Sequence, residues 1–177
     1  MPVAPSFMLV RALTPEDAWS FQSLRLSALT LSPASFASTF EDEKNRSLDD
    51  VAARIAHTEN QAVFGAFAED RLAGIVGVRR DPFPQQRHKA HVWGMYVAPG
   101  HRGMGVSRML LENAIGFAKS MPDVTQAHLA VAAANDVAIR LYRSFGFEEI
   151  DRETSSIFAD DAPDDDLNMC LHLTHAR

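Results

Sequence analysis

The stretch His91-Val92-Trp93-Gly94-Met95-Tyr96-Val97-Ala98-Pro99-Gly100-His101-Arg102-Gly103-Met104-Gly105-Val106-Ser107, continued to Ala118, decides how this chain is read. Its first seven residues are mostly apolar or aromatic and predict a buried strand. Ala98 to His101 breaks that strand, because Pro99 and Gly100 punctuate regular structure. A helix follows: Leu110, Ala114 and Phe117 share one face, with Leu111, Ile115 and Ala118 beside them. The order is strand, glycine-containing turn, helix start.

That order has a chemical use. Glycine leaves the backbone bare, so a ligand can come close to its N–H groups. The first N–H groups of a helix have no acceptor within it and point outward. With the positive end of the helix dipole they suit phosphate oxygens. Taken alone, the turn serves equally well as a flexible lead into a helix. A dinucleotide fingerprint is absent, since Gly103-Met104-Gly105 is followed by Val106, Ser107 and Arg108 rather than by a third glycine in register.

The run resembles the acetyl-CoA-binding motif of the GNAT acyltransferase superfamily, Arg/Gln-x-x-Gly-x-Gly/Ala after a strand and opening a helix. Arg102 and Gly105 match it; Ser107 replaces the last small residue, and serine suits a helix start. Downstream, Asn135, Ala138, Leu141-Tyr142 and Gly146-Phe147 resemble the family's second motif, Asn-x-x-Ala-x-x-Leu-Tyr-x-x-x-Gly-Phe. Leu24 to Leu29, with Pro33 and Phe36, is similar to a bacterial subgroup of small members. The resemblance implies a GNAT-like α/β (α+β) fold, a mixed and mostly antiparallel central sheet flanked by helices.

Composition agrees with one globular domain over residues 1–177. The chain is 46% hydrophobic and 23% charged, enough for a sizeable core. No apolar run is long enough to span a bilayer, and Met1 to Met8 does not read as a secretory signal. One cysteine, Cys170, excludes an internal disulfide and fits a cytoplasmic location. Its neighbours Leu167, Met169, Leu171 and Leu173 suggest a buried structural thiol with no His-Asp arrangement beside it. The net charge of −6 comes largely from five aspartates between Asp160 and Asp166, so no basic footprint for nucleic acid is present.

Read in order, Phe7 to Leu13 predicts a first strand, with Thr14, Pro15 and Asp17 opening a helix that fails near Ser32-Pro33. Trp19 and the early phenylalanines are expected in the core. Ser35 to Asn45 reads as irregular or weakly helical, and Ser47 opens a helix through Val51 and Ile55. Gln61 to Ala68 and Leu72 to Arg79 predict an antiparallel pair. Asp81 to Gln86 is a loop. Thr125 to Val131 is a strand, Asn135 caps a short helix, and Gly146 ends it. Phe147 to Ile157 and Leu167 to Leu173 predict a last strand pair around an acidic hairpin tip.

The resemblance implies acetyl transfer from acetyl-CoA to a primary amine, by direct attack in a ternary complex and without a metal. Backbone N–H groups of Arg102, Gly103, Met104, Gly105, Val106 and Ser107 would cradle the pyrophosphate. Met95, Tyr96 and Val97 would pair with the pantetheine arm as with an added strand. Gly94, inside a strand, fits a bulge or a close approach. Tyr142 at the motif position would protonate the departing sulfur, and Asn135 would add a contact to the cofactor arm. The base is open. Trp93 stands where some members carry a glutamate, His91 lies two residues away on the same face, and Glu41 and Glu43 sit in the segment that shapes the acceptor site. Each also has an ordinary structural reading, and deprotonation through water needs no dedicated residue.

Two alternatives keep the fold: a non-catalytic CoA-binding or sensor domain, and transfer of a different acyl group. The acceptor is expected to be a small-molecule or peptide amine. Homodimers are common among look-alikes.

Overall fold

The computed structural model describes residues 7–159 and 162–174. Seven strands form one sheet in the order β1-β2-β3-β4-β5-β7-β6: β1 Met8–Ala12, β2 Gln61–Ala68, β3 Arg71–Arg80, β4 Lys89–Val97, β5 Gln126–Ala132, β6 Glu148–Ala159 and β7 Ala162–His172. Every neighbouring pair is antiparallel except β4 with β5. Five α-helices accompany it: α1 Ala18–Leu31, α2 Phe40–Glu43, α3 Leu48–Ile55, α4 Val106–Ser120 and α5 Asp136–Ser144. The mixed, mostly antiparallel sheet flanked by helices is the fold class expected.

Two cores form, one on each face. Val106, Leu110, Leu111, Ala114, Ile115 and Ala118 of α4 are all buried at helical spacing, against Val76, Val78, Val92 and Val97 of the sheet. Each large aliphatic side chain buried there contributes about 1.5 to 3 kcal/mol. The other face packs Phe21, Ala28 and Leu29 of α1 and Val51 and Ile55 of α3 onto Val63, Ile75 and Tyr96.

Two expectations need correction. Trp19 is 69% exposed, and Phe7 and Phe40 are exposed too; only Phe21 and Phe36 of the early aromatics are core. The buried stripe of α1 runs through Ala18, Phe21, Gln22 and Arg25, which turns position 19 outward whatever its side chain. Second, β7 starts at Ala162, so Asp164, Asp165 and Asp166 lie within a strand rather than at a hairpin tip. Asp164 pairs with Ile157 and Asp166 with Glu153, while Asp160 and Asp161 fall outside the described residues. Charge does not forbid a strand at the margin of a sheet, and charged side chains discourage further pairing along the edge strand β6.

Beside Cys170 stands a histidine without the aspartate of a His-Asp arrangement: His128 Nε2 is 3.7 Å from its Sγ and 2.8 Å from the Gln126 side-chain oxygen. Burial raises the Cys170 thiol pKa, and burial together with nearby Lys89 and His91 holds His128 down to about 4. Both groups are therefore neutral near pH 7, which is the opposite of an activated thiolate pair.

Candidate active site

The parallel pairing of β4 and β5 consists of Lys89 with Gln126, Ala90 with Ala127 and His91 with His128. Beyond His91 the two strands part. Into the fork opens a cleft of about 620 Å³, walled by Val92 to Val97 on one side and Leu129 to Ala132 on the other. The inner edges of both strands thus have backbone groups available to an extended ligand.

Gly94 shapes this fork. It has φ +66°, and the register slips there, with Ile75 opposite Tyr96 but Gly77 opposite Trp93. That is a β-bulge, one of the two readings open for a glycine inside the strand. Trp93 lies across Gly77, where a Cβ would stand 2.1 Å from the indole. Its ring also carries the Arg54 guanidinium at 4.8 Å.

The glycine turn sits at the mouth. Gly103 and Gly105 have φ +75° and +78°, and a Cβ at either would meet no protein atom within 4 Å. The left-handed backbone, rather than packing, accounts for these two glycines. Gly105 is the N-cap of α4. Arg102 turns back and donates from Nε to the Val97 carbonyl at 2.9 Å, locking the turn to the strand end. Gly103, Gly105, Val106 and Ser107 all line the cleft; Met104 is exposed beside it.

Asn135 and Tyr142 reach the cleft from α5. The Asn135 Oδ1 accepts from the Ala138 N–H at 3.2 Å, so its capping role is filled within the protein. Tyr142 is 6% exposed, packs edge-on to Phe147, and burial pushes its phenol up to about 12. Arg108 ties the helices together, donating to Ser144 Oγ at 2.9 Å.

The remaining candidates are placed differently. His91 does not line the cleft; its Nε2 is 2.8 Å from Asp81 Oδ2, below the point where the strands part. Glu41 is 73% exposed and paired with Lys44. Glu43 is only 1% exposed and no solvated face. It takes hydrogen bonds from Arg25 at 3.2 and 3.3 Å, Arg54 at 3.2 Å and Ser38 at 2.5 Å. Burial alone would raise its pKa; Arg25, Ser38 and Arg54 outweigh it and hold the carboxyl at about 2.

Sequence patterning alone does not mark Arg25 or Arg54 as functional. The available signal was an arginine on the buried stripe of α1, at a position where the helix otherwise presents Phe21, Ala28 and Leu29.

A family model described as Acetyltransferase (GNAT) family matches residues 27–147. The chain belongs to the GNAT acetyltransferase family. Solved GNAT structures agree in fold. An acetyltransferase from Streptococcus pneumoniae has a TM-score of 0.84 at 22% identity, covering 94% of this chain and 100% of that one. A putative acetyltransferase from Salmonella typhimurium, solved with its cofactor acetyl-CoA, has a TM-score of 0.82 at 22% identity and covers 97% of each chain. A sequence relative is the N-alpha-acetyltransferase RimI of Mycobacterium tuberculosis, 33% identical over 87 residues, 49% of this chain and 51% of that protein. Matched stretches span from 23% to 63% of the curated relatives' own lengths. Among the described residues no helix is long and apolar enough to cross a membrane.

Proposed function

We propose that this GNAT protein transfers an acetyl group from acetyl-CoA to a primary amine by direct attack within a ternary complex. The observation that carries this reading is the fork between β4 and β5. It exposes strand backbone, ends at a glycine turn with two left-handed residues, and is overlooked by a phenol. Acetyl-CoA supplies the activated acetyl group as a thioester. The residues fit such a molecule: Met95 to Val97 present backbone to an extended arm, and the first turn of α4 presents N–H groups to phosphates.

The protein's own part is positional and electrostatic. The bulge at Gly94 interrupts the β3–β4 ladder at the cleft wall, and a strand N–H freed there would be a fixed donor favouring charge that develops on a carbonyl oxygen. Tyr142 holds its proton across the physiological range, because burial raises its pKa to about 12. It therefore arrives protonated, ready to donate to a departing thiolate. Glu43 is engaged by two arginines and His91 by Asp81, so the amine proton leaves through water.

The test is thiol release from acetyl-CoA with a panel of primary amines, with mass spectrometry of the products. Acetylated amine is the expected product. Tight CoA binding with no acetylation of any amine would replace the transferase reading with that of a CoA sensor, and faster turnover of longer acyl-CoAs would replace the acetyl group alone.

A further inference from the structure

Gly94 and Trp93 line the fork cleft and also a second cavity of about 450 Å³. The wall of that cavity carries three arginines, Arg25, Arg54 and Arg79, and one acid, Asp166. Glu43 lies behind it, bonded to Arg25 and Arg54. Three guanidinium groups against two carboxylates leave the cavity with a positive balance. That is a poor environment for a polyamine, whose every nitrogen brings further positive charge.

Arg25 makes the argument specific. It is only 5% exposed, and its Nε and Nη2 are taken by Glu43 and Ser38. Its Nη1 is buried with no hydrogen-bond partner, and stands 3.5 Å from where a Cβ on Gly94 would be. A buried guanidinium donor without an acceptor is costly and rare in a native protein. Here it faces the one residue that borders both cavities and has no side chain to cover it. A carboxylate is the acceptor that a guanidinium edge fits best.

We infer that the amine acceptor carries a carboxylate, held in the second cavity by Arg25 Nη1 with Arg54 and Arg79 adding positive charge. The inference rests on the acetyl-transfer reading of the adjoining cleft and names the acceptor class for it. Carboxylate and amine belong to one small molecule such as a free amino acid, or to a peptide end whose side chain supplies one of the two groups, with the amine directed at Gly94.

Calorimetric titration of the full chain preloaded with CoA tests this, using α-amino acids, their carboxamides and spermidine. Amino acids should bind about tenfold tighter than the matching amides, with spermidine weaker still. Arg25→Lys keeps a charge beside Glu43 but gives up the guanidinium edge; it should erase most of that preference while CoA affinity stays. If that variant does not fold, Arg79→Gln at the exposed rim should weaken amino-acid binding about twofold and leave the amides unchanged. Amides or spermidine binding as well as amino acids, no amino acid binding at all, or an unchanged preference in the folded variant would overturn the inference. Thiol release separates the two claims. Amino acids that bind while no amine of any kind is acetylated remove the transferase reading and keep the carboxylate site. Acetylation confined to amides or polyamines does the reverse.

Discussion

Arg25 on α1 and Glu43 on α2, eighteen residues apart in the chain, meet through two hydrogen bonds of 3.2 and 3.3 Å in the interior of the protein. Their contact fastens the short α2 to the long α1 and fixes the floor of the second cavity. Glu43→Gln should destabilise the protein by about 3 to 5 kcal/mol, because it leaves Arg25 charged and buried without its counterion. Urea unfolding followed by circular dichroism measures this. A loss below 1 kcal/mol would mean that the pair is only a surface-like contact.

The same carboxylate makes stability depend on pH in acid. Glu43 titrates near 4.5 when unfolded and at about 2 when folded, so its contribution is complete above pH 4.5 and disappears as the pH falls toward 2. The size is about 3 kcal/mol. His128 acts in the window above: its ordinary 6.5 is lowered to about 4, so the unfolded chain takes up the proton first and stability falls from pH 6.5 down to 4. Unfolding free energies measured from pH 7 to pH 2 should show both declines, and His128→Gln should flatten only the upper one.

Gly105→Val should weaken CoA binding more than tenfold in calorimetry and cost about 1 to 2 kcal/mol of stability, since valine resists a φ of +78°. Gly100→Ala is the control, having neither a left-handed φ nor a neighbour within 4 Å of its added Cβ. It should leave both quantities unchanged. Normal CoA affinity in Gly105→Val would place the phosphates elsewhere.

Tyr142→Phe should lower turnover about a hundredfold while acetyl-CoA affinity changes little. The ring stays packed on Phe147, so only the hydroxyl is lost. An unaltered turnover number would remove the phenol from the chemistry.

Gly77→Ala tests the wall shared by both cavities. The new methyl would stand 2.1 Å from the Trp93 indole, which must swing away and drop its contact with Arg54. Acceptor binding should weaken more than CoA binding; equal losses in the two titrations would show a general loosening of β3 and β4 instead.

The glycine turn, the Asn135 cap and the strands of the sheet were legible because each is a local matter. A few consecutive residues, with bare backbone, a capping side chain or alternating burial, set the conformation. What stayed hidden depends on distance in the chain. Glu43 reads as part of an acidic surface run until Arg25 and Arg54 arrive from two other helices. His91 reads as a half-exposed imidazole until the loop before β4 brings Asp81 to it. Trp19 departs from expectation for another reason: its identity suggests burial, but one position along α1 rotates it away from the stripe that meets the sheet. The acidic stretch before Leu167 reads as a loop but forms a strand, because paired backbone, not side-chain charge, makes a strand at the sheet's margin.

The extra residue at the β4 bulge also resets the parity of the strand. Trp93 and Tyr96, an odd number of positions apart, both face the α1 side, opposite Gly77 and Ile75. Removing Gly94 would leave the two aromatics an even two positions apart, so strict alternation would keep both on the α1 side and only the bulge would be lost. A single-codon deletion there would thus spare both interiors and remove only the kink in the fork's wall, whereas straightening the strand with every residue kept would turn half of it over.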